Sequence, residues 1–198
     1  MDKKNDDKID ENEIGKYFPF EHVVQQTMEI YEELLGLKIT KIECEAWEPE
    51  VTCYLVNDED SDELIGEFYL DVFKREGKQE AAFASEIMRK SQVGPSKMKA
   101  ISYMYSNFEK TGTVWHAQVV TFFHEFGHVM HQVLSKSKYA RLSASSCETD
   151  FGELPSQMLE NWVWNKDIVK RLSHHHETGA QIPDDLLEKK LARRTGRD

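Results

Sequence analysis

The sequence lacks the features that mark membrane-spanning and exported proteins. None of its apolar runs reaches the roughly 18 residues of a membrane-spanning helix, so we expect no membrane partner. The first residues, Met-Asp-Lys-Lys-Asn-Asp-Asp-Lys, contain no apolar core of a secretory signal, and their acids are unusual in a mitochondrial presequence. Only three cysteines are present, without the spacing of a zinc finger. These absences favour a reduced, cytoplasmic setting.

Positive charge is also scarce. The 198 residues contain 25 Lys and Arg against 36 Asp and Glu, a formal net charge of −11. Nucleic acids and anionic surfaces repel such a chain, so neither is an expected partner. Residues 1–13 are nearly all charged or amide side chains, and we predict a disordered tail there. The remaining residues, 14–198, suffice for a single domain and show no internal repeat.

Hydrophobic periodicity predicts an α+β domain, mainly helical, with a small β-sheet. A helix is expected from about Glu21 to Leu35, with Leu34 and Leu35 among its inward residues and Gly36 as its cap. The stretch Glu80–Lys90 is open between helix and strand, because its alanines favour helix. Strands are expected at Val51–Val56, Leu64–Phe73 and Ile101–Ser106.

The most informative segment is His124-Glu125-Phe126-Gly127-His128, inside the apolar stretch Val119–Leu134. Its apolar residues recur at helical spacing without a proline, which predicts a helix. Positions four apart on a helix lie one above the other, about 6 Å between Cβ atoms. Both imidazoles can therefore reach one metal ion at about 2.0–2.1 Å. Glu125 would lie beside that ion, where it can act on a water molecule as a base.

A second interpretation of this segment is two core histidines on an apolar helix. Burying unpaired polar groups costs roughly several kcal/mol, and a metal ion would remove that cost. We therefore favour a metal site, which needs one more protein ligand and an open position.

The next good ligand candidate after His128 is Glu153. Pro155 suits the first turn of a helix, so we predict that Glu153 stands at the beginning of a second helix that continues to about Ser173. The buried side of this helix is predicted to consist of Met158, Leu159, Trp162 and Val163.

Two segments together resemble the thimet oligopeptidase and neurolysin family of zinc peptidases. They are His-Glu-Phe-Gly-His-Val-Met-His at 124–131 and Glu-Thr-Asp-Phe-Gly-Glu-Leu-Pro-Ser-Gln-Met-Leu-Glu-Asn-Trp-Val-Trp at 148–164. The resemblance implies a zincin-like catalytic core and one zinc ion per chain, held by His124, His128 and Glu153. It also implies that Glu125 is the general base, and that the substrates are short peptides cleaved at internal bonds.

Four further residues are candidates for contacts with the ligands or the substrate. His116 and His131 match positions of the family, whereas Asp150 and Gln157 are polar residues close to Glu153 in the sequence. The run His174-His175-His176 resembles a metal cluster, but adjacent residues point in different directions, so we interpret it as surface.

The resemblance covers only part of the family's pattern. The tyrosine and histidine cluster that contacts the substrate downstream of the third ligand in the family is absent from this sequence, as is the long amino-terminal helical region. Losing one oxyanion donor typically costs about 10²–10³ in kcat. Two hypotheses follow: a zinc metalloendopeptidase with impaired activity, or an inactive truncated remnant that binds zinc or peptide. The sequence does not specify an oligomeric state, and we favour a monomer.

Overall fold

The computed structural model describes residues 10–93, 98–110 and 112–195. Its helices are α1 (Glu11–Gly15), α2 (Phe20–Leu35), α3 (His116–Val133), α4 (Thr149–Glu160), α5 (Lys166–Leu172) and α6 (Asp184–Thr195). Its strands are β1 (Leu37–Ile42), β2 (Thr52–Asp58), β3 (Leu64–Phe73), β4 (Phe83–Met88) and β5 (Ala100–Phe108). Short 3₁₀ segments occur at Ala140–Leu142, Ala144–Ser146 and Asn161–Trp164. The predicted α+β composition, with more helix than strand, is confirmed.

The five strands form one sheet in the order β1-β2-β3-β5-β4. Neighbouring strands are antiparallel except for β3 and β5, and β2 and β3 form a hairpin. β4 pairs only with β5 among the described strands, with Ala84 opposite Met104 and Glu86 opposite Ser102. It is therefore an edge strand, and one side of its backbone is free of strand pairing.

Two of these strands were not assigned from the sequence. The stretch Glu80–Lys90 contains β4, because pairing with β5 outweighs the helix propensity of its alanines. β1 was missed altogether. Its Leu37 is buried and Ile39 packs against the core, while Lys38 and Thr40 are exposed. This period-two pattern is the signal that could have predicted the strand.

The first long helix, α2, ends where the sequence predicts. Gly36 follows it at φ 63°, a left-handed conformation that glycine adopts at little cost. The prediction that Leu34 and Leu35 face inward is wrong, since each is 39% exposed. Both lie in the last turn, where the chain leaves the core for β1, and the buried face is formed earlier in the helix by residues such as Tyr31.

The amino-terminal boundary also differs from the prediction. Of the predicted disordered tail 1–13, residues 1–9 lie outside the described residues. The side chain of Asp10 accepts a hydrogen bond from the backbone N–H of Asn12 at 2.9 Å and caps α1. Ile14 on α1 is fully buried in the core. Residues 10–13 therefore lead into the folded domain instead of belonging to a tail.

The central helix α3 packs one face against the sheet. Phe122, Phe126 and Val129 are fully buried on that face. The ring of Phe126 lies 5.3 Å from that of Phe68 on β3 and 5.9 Å from that of Phe122. This apolar contact fixes the rotation of α3 about its axis, so the opposite face, which carries His124, points away from the sheet.

The helix that carries Glu153 begins earlier than predicted. α4 starts at Thr149, so Glu153 is its fifth residue and Pro155 lies inside it. The prediction that Pro155 occupies the first turn and Glu153 the helix start is therefore wrong. A proline here removes one backbone hydrogen bond, to the carbonyl of Phe151. Because Phe151 is exposed, that loss falls on the solvent side of the helix.

The predicted continuation of this helix to Ser173 is also wrong. α4 ends at Glu160, and Asn165 starts α5 by accepting hydrogen bonds from two backbone N–H groups of the new helix. Leu159 and Val163 are buried as predicted, and Trp162 is half-buried. Met158, predicted to be inward, is 56% exposed because it lies on the side of α4 that faces away from α3.

Candidate functional site

The outward face of α3 presents the two histidines of the central segment. His124 and His128 are one helical turn apart, and their ring centroids are separated by 4.9 Å. Their side chains are 25% and 19% exposed, so the imidazoles are partly enclosed but open to solvent. The apolar contact of α3 with the sheet therefore sets both rings on the accessible side of the helix.

The helix α4 brings Glu153 to these histidines. Gly127 lets the two helices approach closely, since a Cβ atom there would lie only 2.8 Å from the Cα of Ser156. As a result, Glu153 Oε2 lies 3.3 Å from His124 Nε2 and 3.2 Å from His128 Nε2. The hydroxyl of Ser156 donates to the same Oε2 at 3.0 Å and holds the carboxylate in place. The three side chains form a group that could hold a metal ion.

A second carboxylate, that of Glu160, orients one of the imidazoles. Its Oε2 lies 3.0 Å from His124 Nδ1. A carboxylate oxygen can only accept, so Nδ1 carries a proton. In the neutral imidazole the lone pair is then on Nε2, which faces Glu153. Glu160 was not among the site residues predicted from the sequence. Its signal was the spacing of seven from Glu153, which on a helix places both side chains on the same face.

The arrangement of acceptor atoms in His124, His128 and Glu153 would be stabilised by a cation between them. With the proton of His124 on Nδ1, its Nε2 and the Glu153 oxygen are both acceptors, yet they lie 3.3 Å apart. Burial lowers the pKa of His128, which favours its neutral form as well. Neutral imidazole nitrogens facing a carboxylate are a donor set that a divalent metal ion satisfies.

Glu125 lies on the side of α3 that faces the edge strand. It is buried, and the backbone of Ala84 on β4 lies next to its carboxylate. Burial raises the pKa of this carboxyl above its usual range. Glu125 is not one of the three residues that converge on the candidate ion site, but it interacts electrostatically with two of them, His124 and Glu153, so it lies beside that site.

A role at the site for Asp150 and Gln157, two candidates for contacts with the ligands or the substrate, stays a prediction. Both are exposed. The Asp150 carboxylate accepts from the backbone N–H of Phe151, and the Gln157 backbone carbonyl accepts from the side chain of Asn161. Each lies on the solvent side of α4, because the opposite side of that helix is occupied by its contact with α3.

The two additional histidines have different surroundings. His116 is 1% exposed, and its Nε2 lies 3.0 Å from the carbonyl oxygen of Val163. It precedes His124 by eight residues, about 12 Å along the helix axis, so it cannot join the ion site. His131 is half-buried one turn beyond His128, with its ring 6.4 Å from that of Phe151. A role for His131 at the site stays a prediction.

The histidine run forms a second group of possible ligands with His175, His176 and Glu177. The Nδ1 atom of His175 already accepts from the backbone N–H groups of Glu177 and Thr178, both at 3.3 Å. Its proton is therefore on Nε2, which leaves no lone pair for a metal ion. This geometry supports the interpretation of the run as surface.

In the part of the chain that the structure describes, none of the helices combines the length and the apolar character that spanning a bilayer requires.

Comparison with known proteins agrees with the motif resemblance. Residues 1–197 match the model of peptidase family M3. The chain is similar to a thimet-like oligopeptidase of Dictyostelium discoideum, with 41% identity over 197 residues that cover 94% of this chain and 29% of the relative. It is 34% identical to oligopeptidase A of Escherichia coli (strain K12), over 93% of this chain and 28% of the relative. It is 33% identical to saccharolysin of Saccharomyces cerevisiae, over 90% of this chain and 27% of the relative.

The match therefore extends over nearly the whole chain, while the chain spans less than a third of the length of these relatives. The predicted resemblance to the thimet oligopeptidases is confirmed. The chain belongs to peptidase family M3.

Proposed function

We propose that the chain forms the zincin-like catalytic core of a zinc metalloendopeptidase that hydrolyses internal bonds of short peptides. The observation that carries the proposal is the convergence of His124, His128 and Glu153 on one point beside a buried Glu125, in a chain of family M3. The three converging residues are assigned as metal ligands and Glu125 as the general base.

The spacing of the ligand atoms supports zinc as the ion. Ligands about 2.0–2.1 Å from a tetrahedral zinc ion lie about 3.3 Å from one another. The two distances from Glu153 Oε2 to the imidazole nitrogens are 3.3 and 3.2 Å. The hydrogen bond between Glu160 and His124 matches the carboxylate–histidine pattern that accompanies zinc ligands in many enzymes. One zinc ion per chain is expected.

When bound, zinc supplies a Lewis acid for the scissile carbonyl and lowers the pKa of a water ligand toward about 7. In this scheme Glu125 accepts the proton of the attacking water and then delivers it to the leaving amine. The backbone of Ala84 lies next to the Glu125 carboxylate and favours its ionised form, which is the form that can accept a proton. Glu160 keeps the imidazole of His124 in the tautomer whose Nε2 is free to bind.

The edge strand supports a peptide as the substrate. β4 runs beside the site with one side of its backbone free of strand pairing, and extended peptides bind such edges as an added strand. A bound segment must be extended over several residues, which short unstructured peptides allow and folded proteins do not. We therefore propose short peptides as substrates of a cytoplasmic monomer that binds neither nucleic acid nor membranes.

The alternative is a remnant that binds zinc or peptide without cleaving. This chain spans 27–29% of the length of relatives whose names describe peptidases, and the peptidase activity in those names belongs to the longer proteins. The buried Glu125 favours the peptidase instead, because a structural zinc site has no use for a base.

The substitution Glu125→Gln distinguishes the peptidase from the remnant that does not cleave. The variant should keep near-unit zinc and a normal melting temperature, since Glu125 is not assigned as a ligand. Cleavage of a fluorogenic short peptide should fall by about 10²-fold or more, the usual contribution of a general base. Wild-type cleavage should also stop when a chelator removes the metal.

Glu148→Gln is the matched control, because Glu148 is an exposed carboxylate at the start of α4 and its loss should leave the rate unchanged. Equal rates for wild type and Glu125→Gln would contradict the mechanism. Zinc binding without cleavage by either protein would support the remnant.

A further inference from the structure

Two of the three cysteines lie together on one face of the sheet. Cys53 on β2 is directly opposite Ile42, the last residue of β1. Cys44 follows Ile42 by two residues, and residues two apart on an extended chain point to the same face. Cys44 and Cys53 are therefore diagonal neighbours on β1 and β2, and their side chains lie next to each other.

This face of the sheet is the one that points away from α3. Tyr54, the next residue on β2, belongs to the core, so the side chain of Cys53 points to the opposite side. The core side is the one on which Phe68 of β3 contacts Phe126 of α3. The two thiols are thus separated from the candidate ion site by the sheet and are not part of its group of ligands.

The chain that follows Cys44 folds back over the same face. The indole of Trp47 lies 5.4 Å from the ring of Tyr69, the residue of β3 that is directly opposite Cys53. The indole N–H donates to the carboxylate of Asp71 on the same strand at 2.9 Å. These contacts hold the connection between β1 and β2 against the sheet, so the packing of this connection keeps Cys44 beside Cys53.

The two thiols differ in their access to solvent. Cys44 is exposed, whereas Cys53 is 1% exposed. Burial raises the pKa of the Cys53 thiol to about 11, so this thiol is protonated at neutral pH and reacts slowly with an oxidant from solution. Cys44 is therefore the first to meet an oxidant, and Cys53 is the neighbour that can react with the product. Solvent access and a neighbouring thiol of this kind are features of redox-sensing cysteines.

We propose that Cys44 and Cys53 form a site of reversible oxidation by hydrogen peroxide, at which the two thiols become a disulfide. The thiolate of Cys44 attacks one oxygen of the peroxide. The O–O bond breaks, an S–O bond forms, and the hydroxide that leaves takes up the proton lost by the thiol and becomes water. The product on Cys44 is a sulfenic acid.

The second step joins the two residues. The sulfur of Cys53 attacks the sulfur of Cys44, the S–S bond forms, the S–O bond breaks, and the hydroxide that leaves takes the proton of Cys53 and becomes a second water. The two sulfur atoms together lose two electrons, which the peroxide takes up. A dithiol such as dithiothreitol reverses the reaction by thiol–disulfide exchange and is itself oxidised.

The disulfide would close a loop of ten residues (53 minus 44, plus one). Cys44 lies in the irregular segment beyond β1, so its backbone can adjust to the 4.4–6.8 Å between Cα atoms that a disulfide requires. Closing such a loop should raise the melting temperature of a chain of this length by about 5–10 °C. Cytosolic disulfides are mostly transient and redox-sensing, which fits the proposed cytoplasmic setting. The inference does not rest on the proposed peptidase function.

The test treats the zinc-loaded protein with a small excess of hydrogen peroxide and blocks the remaining thiols with iodoacetamide. Peptides are then mapped by mass spectrometry without reduction. Wild type should lose two hydrogen atoms and yield one pair of peptides joined through Cys44 and Cys53. Dithiothreitol should restore both thiols and remove the rise in melting temperature. Because the assay detects only the state of the thiols, its result is independent of whether the protein cleaves peptides.

Cys147→Ser is the matched control, because Cys147 lies before α4, where its thiol donates to the carbonyl oxygen of Ala144. This variant should form the same disulfide. Cys44→Ser, a substitution at the surface, should abolish both the joined peptides and the rise in melting temperature. In Cys53→Ala the sulfenic acid on Cys44 should persist and be trapped by dimedone. A disulfide to Cys147 or between two chains would overturn the inference, as would the absence of any disulfide in wild type.

Discussion

Gly127 is the residue of the central segment at which α3 packs against α4. A Cβ atom added there would lie 2.8 Å from the Cα of Ser156 and 3.4 Å from the backbone oxygen of Pro155. Both neighbours are backbone atoms, which cannot rotate aside as a side chain can. The substitution Gly127→Ala should therefore push α4 away from α3, and α4 carries Glu153.

The size of the displacement follows from the contact distances. Restoring an ordinary Cβ contact of about 3.4 Å requires roughly 0.6 Å of movement (3.4 minus 2.8) at Ser156. Ser156 is three residues from Glu153 and bonded to it, so the carboxylate should move with the helix. Zinc–ligand distances tolerate only about 0.2 Å. Overpacking costs about 1–3 kcal/mol, while alanine gains about 1 kcal/mol in helix propensity.

We therefore expect Gly127→Ala to lose at most about 2 kcal/mol of unfolding free energy but at least about tenfold in zinc affinity. Zinc affinity is measured by competition with a chromophoric chelator, and stability by urea unfolding of the metal-free protein. Gly152→Ala on α4 is the control, because its added Cβ would meet only the Cys147 sulfur, at an ordinary 3.5 Å. Wild-type zinc affinity in Gly127→Ala would refute the role of this contact in spacing the ligands.

Two further predictions concern His124's partner and the buried His116. Glu160→Ala should lower zinc affinity by about 10–100-fold, the usual effect of removing a carboxylate that orients a ligand. The control Gln157→Ala, on the solvent side of α4, should leave zinc affinity unchanged. Equal affinities of wild type and Glu160→Ala in competition titrations would contradict the role assigned to Glu160. Burial lowers the pKa of His116 to about 4. Between about pH 6.5 and pH 4 this histidine binds a proton in the unfolded chain but stays neutral in the folded chain. The free energy of unfolding should therefore fall by about 3 kcal/mol from pH 6.5 to 4 and stay constant below that. Urea unfolding across this pH range should show that the free energy of unfolding depends less on pH in His116→Gln than in wild type. The same pH dependence in both proteins would refute the lowered pKa of His116.

The pairing of the two histidines on α3 could be predicted from the sequence because its geometry is local. Two histidines four residues apart share a helix face whatever the rest of the chain does. The spacing of the apolar residues around them predicted the helix itself, and Phe123 and Phe126 are buried on it. Glu153 was found as well, but its place in α4 was predicted wrongly, since Pro155 is compatible with either the first turn or a position inside the helix.

Other parts of the site depend on contacts between distant segments. Glu160 shares a face with Glu153, yet nothing in α4 alone tells which face meets α3, because that depends on the approach of Ser156 to Gly127. Whether the segment that forms β4 is a helix or a strand was ambiguous from the sequence for a similar reason. Glu80–Lys90 has the alanines of a helix, and its conformation is decided by pairing with β5, whose strand begins only at Ala100.

Metal binding and peptide binding therefore depend on different parts of the chain. The proposed ligands lie on two helices and within 29 residues of each other (153 minus 124), so the α3–α4 contact is enough to position them. A peptide would in addition need the edge of β4, a strand that begins at Phe83, 41 residues before His124 (124 minus 83). Changes in β4 should thus impair peptide binding and leave zinc affinity intact. A zinc-loaded protein without activity would accordingly indicate a fault in the cleft, not in the ion site.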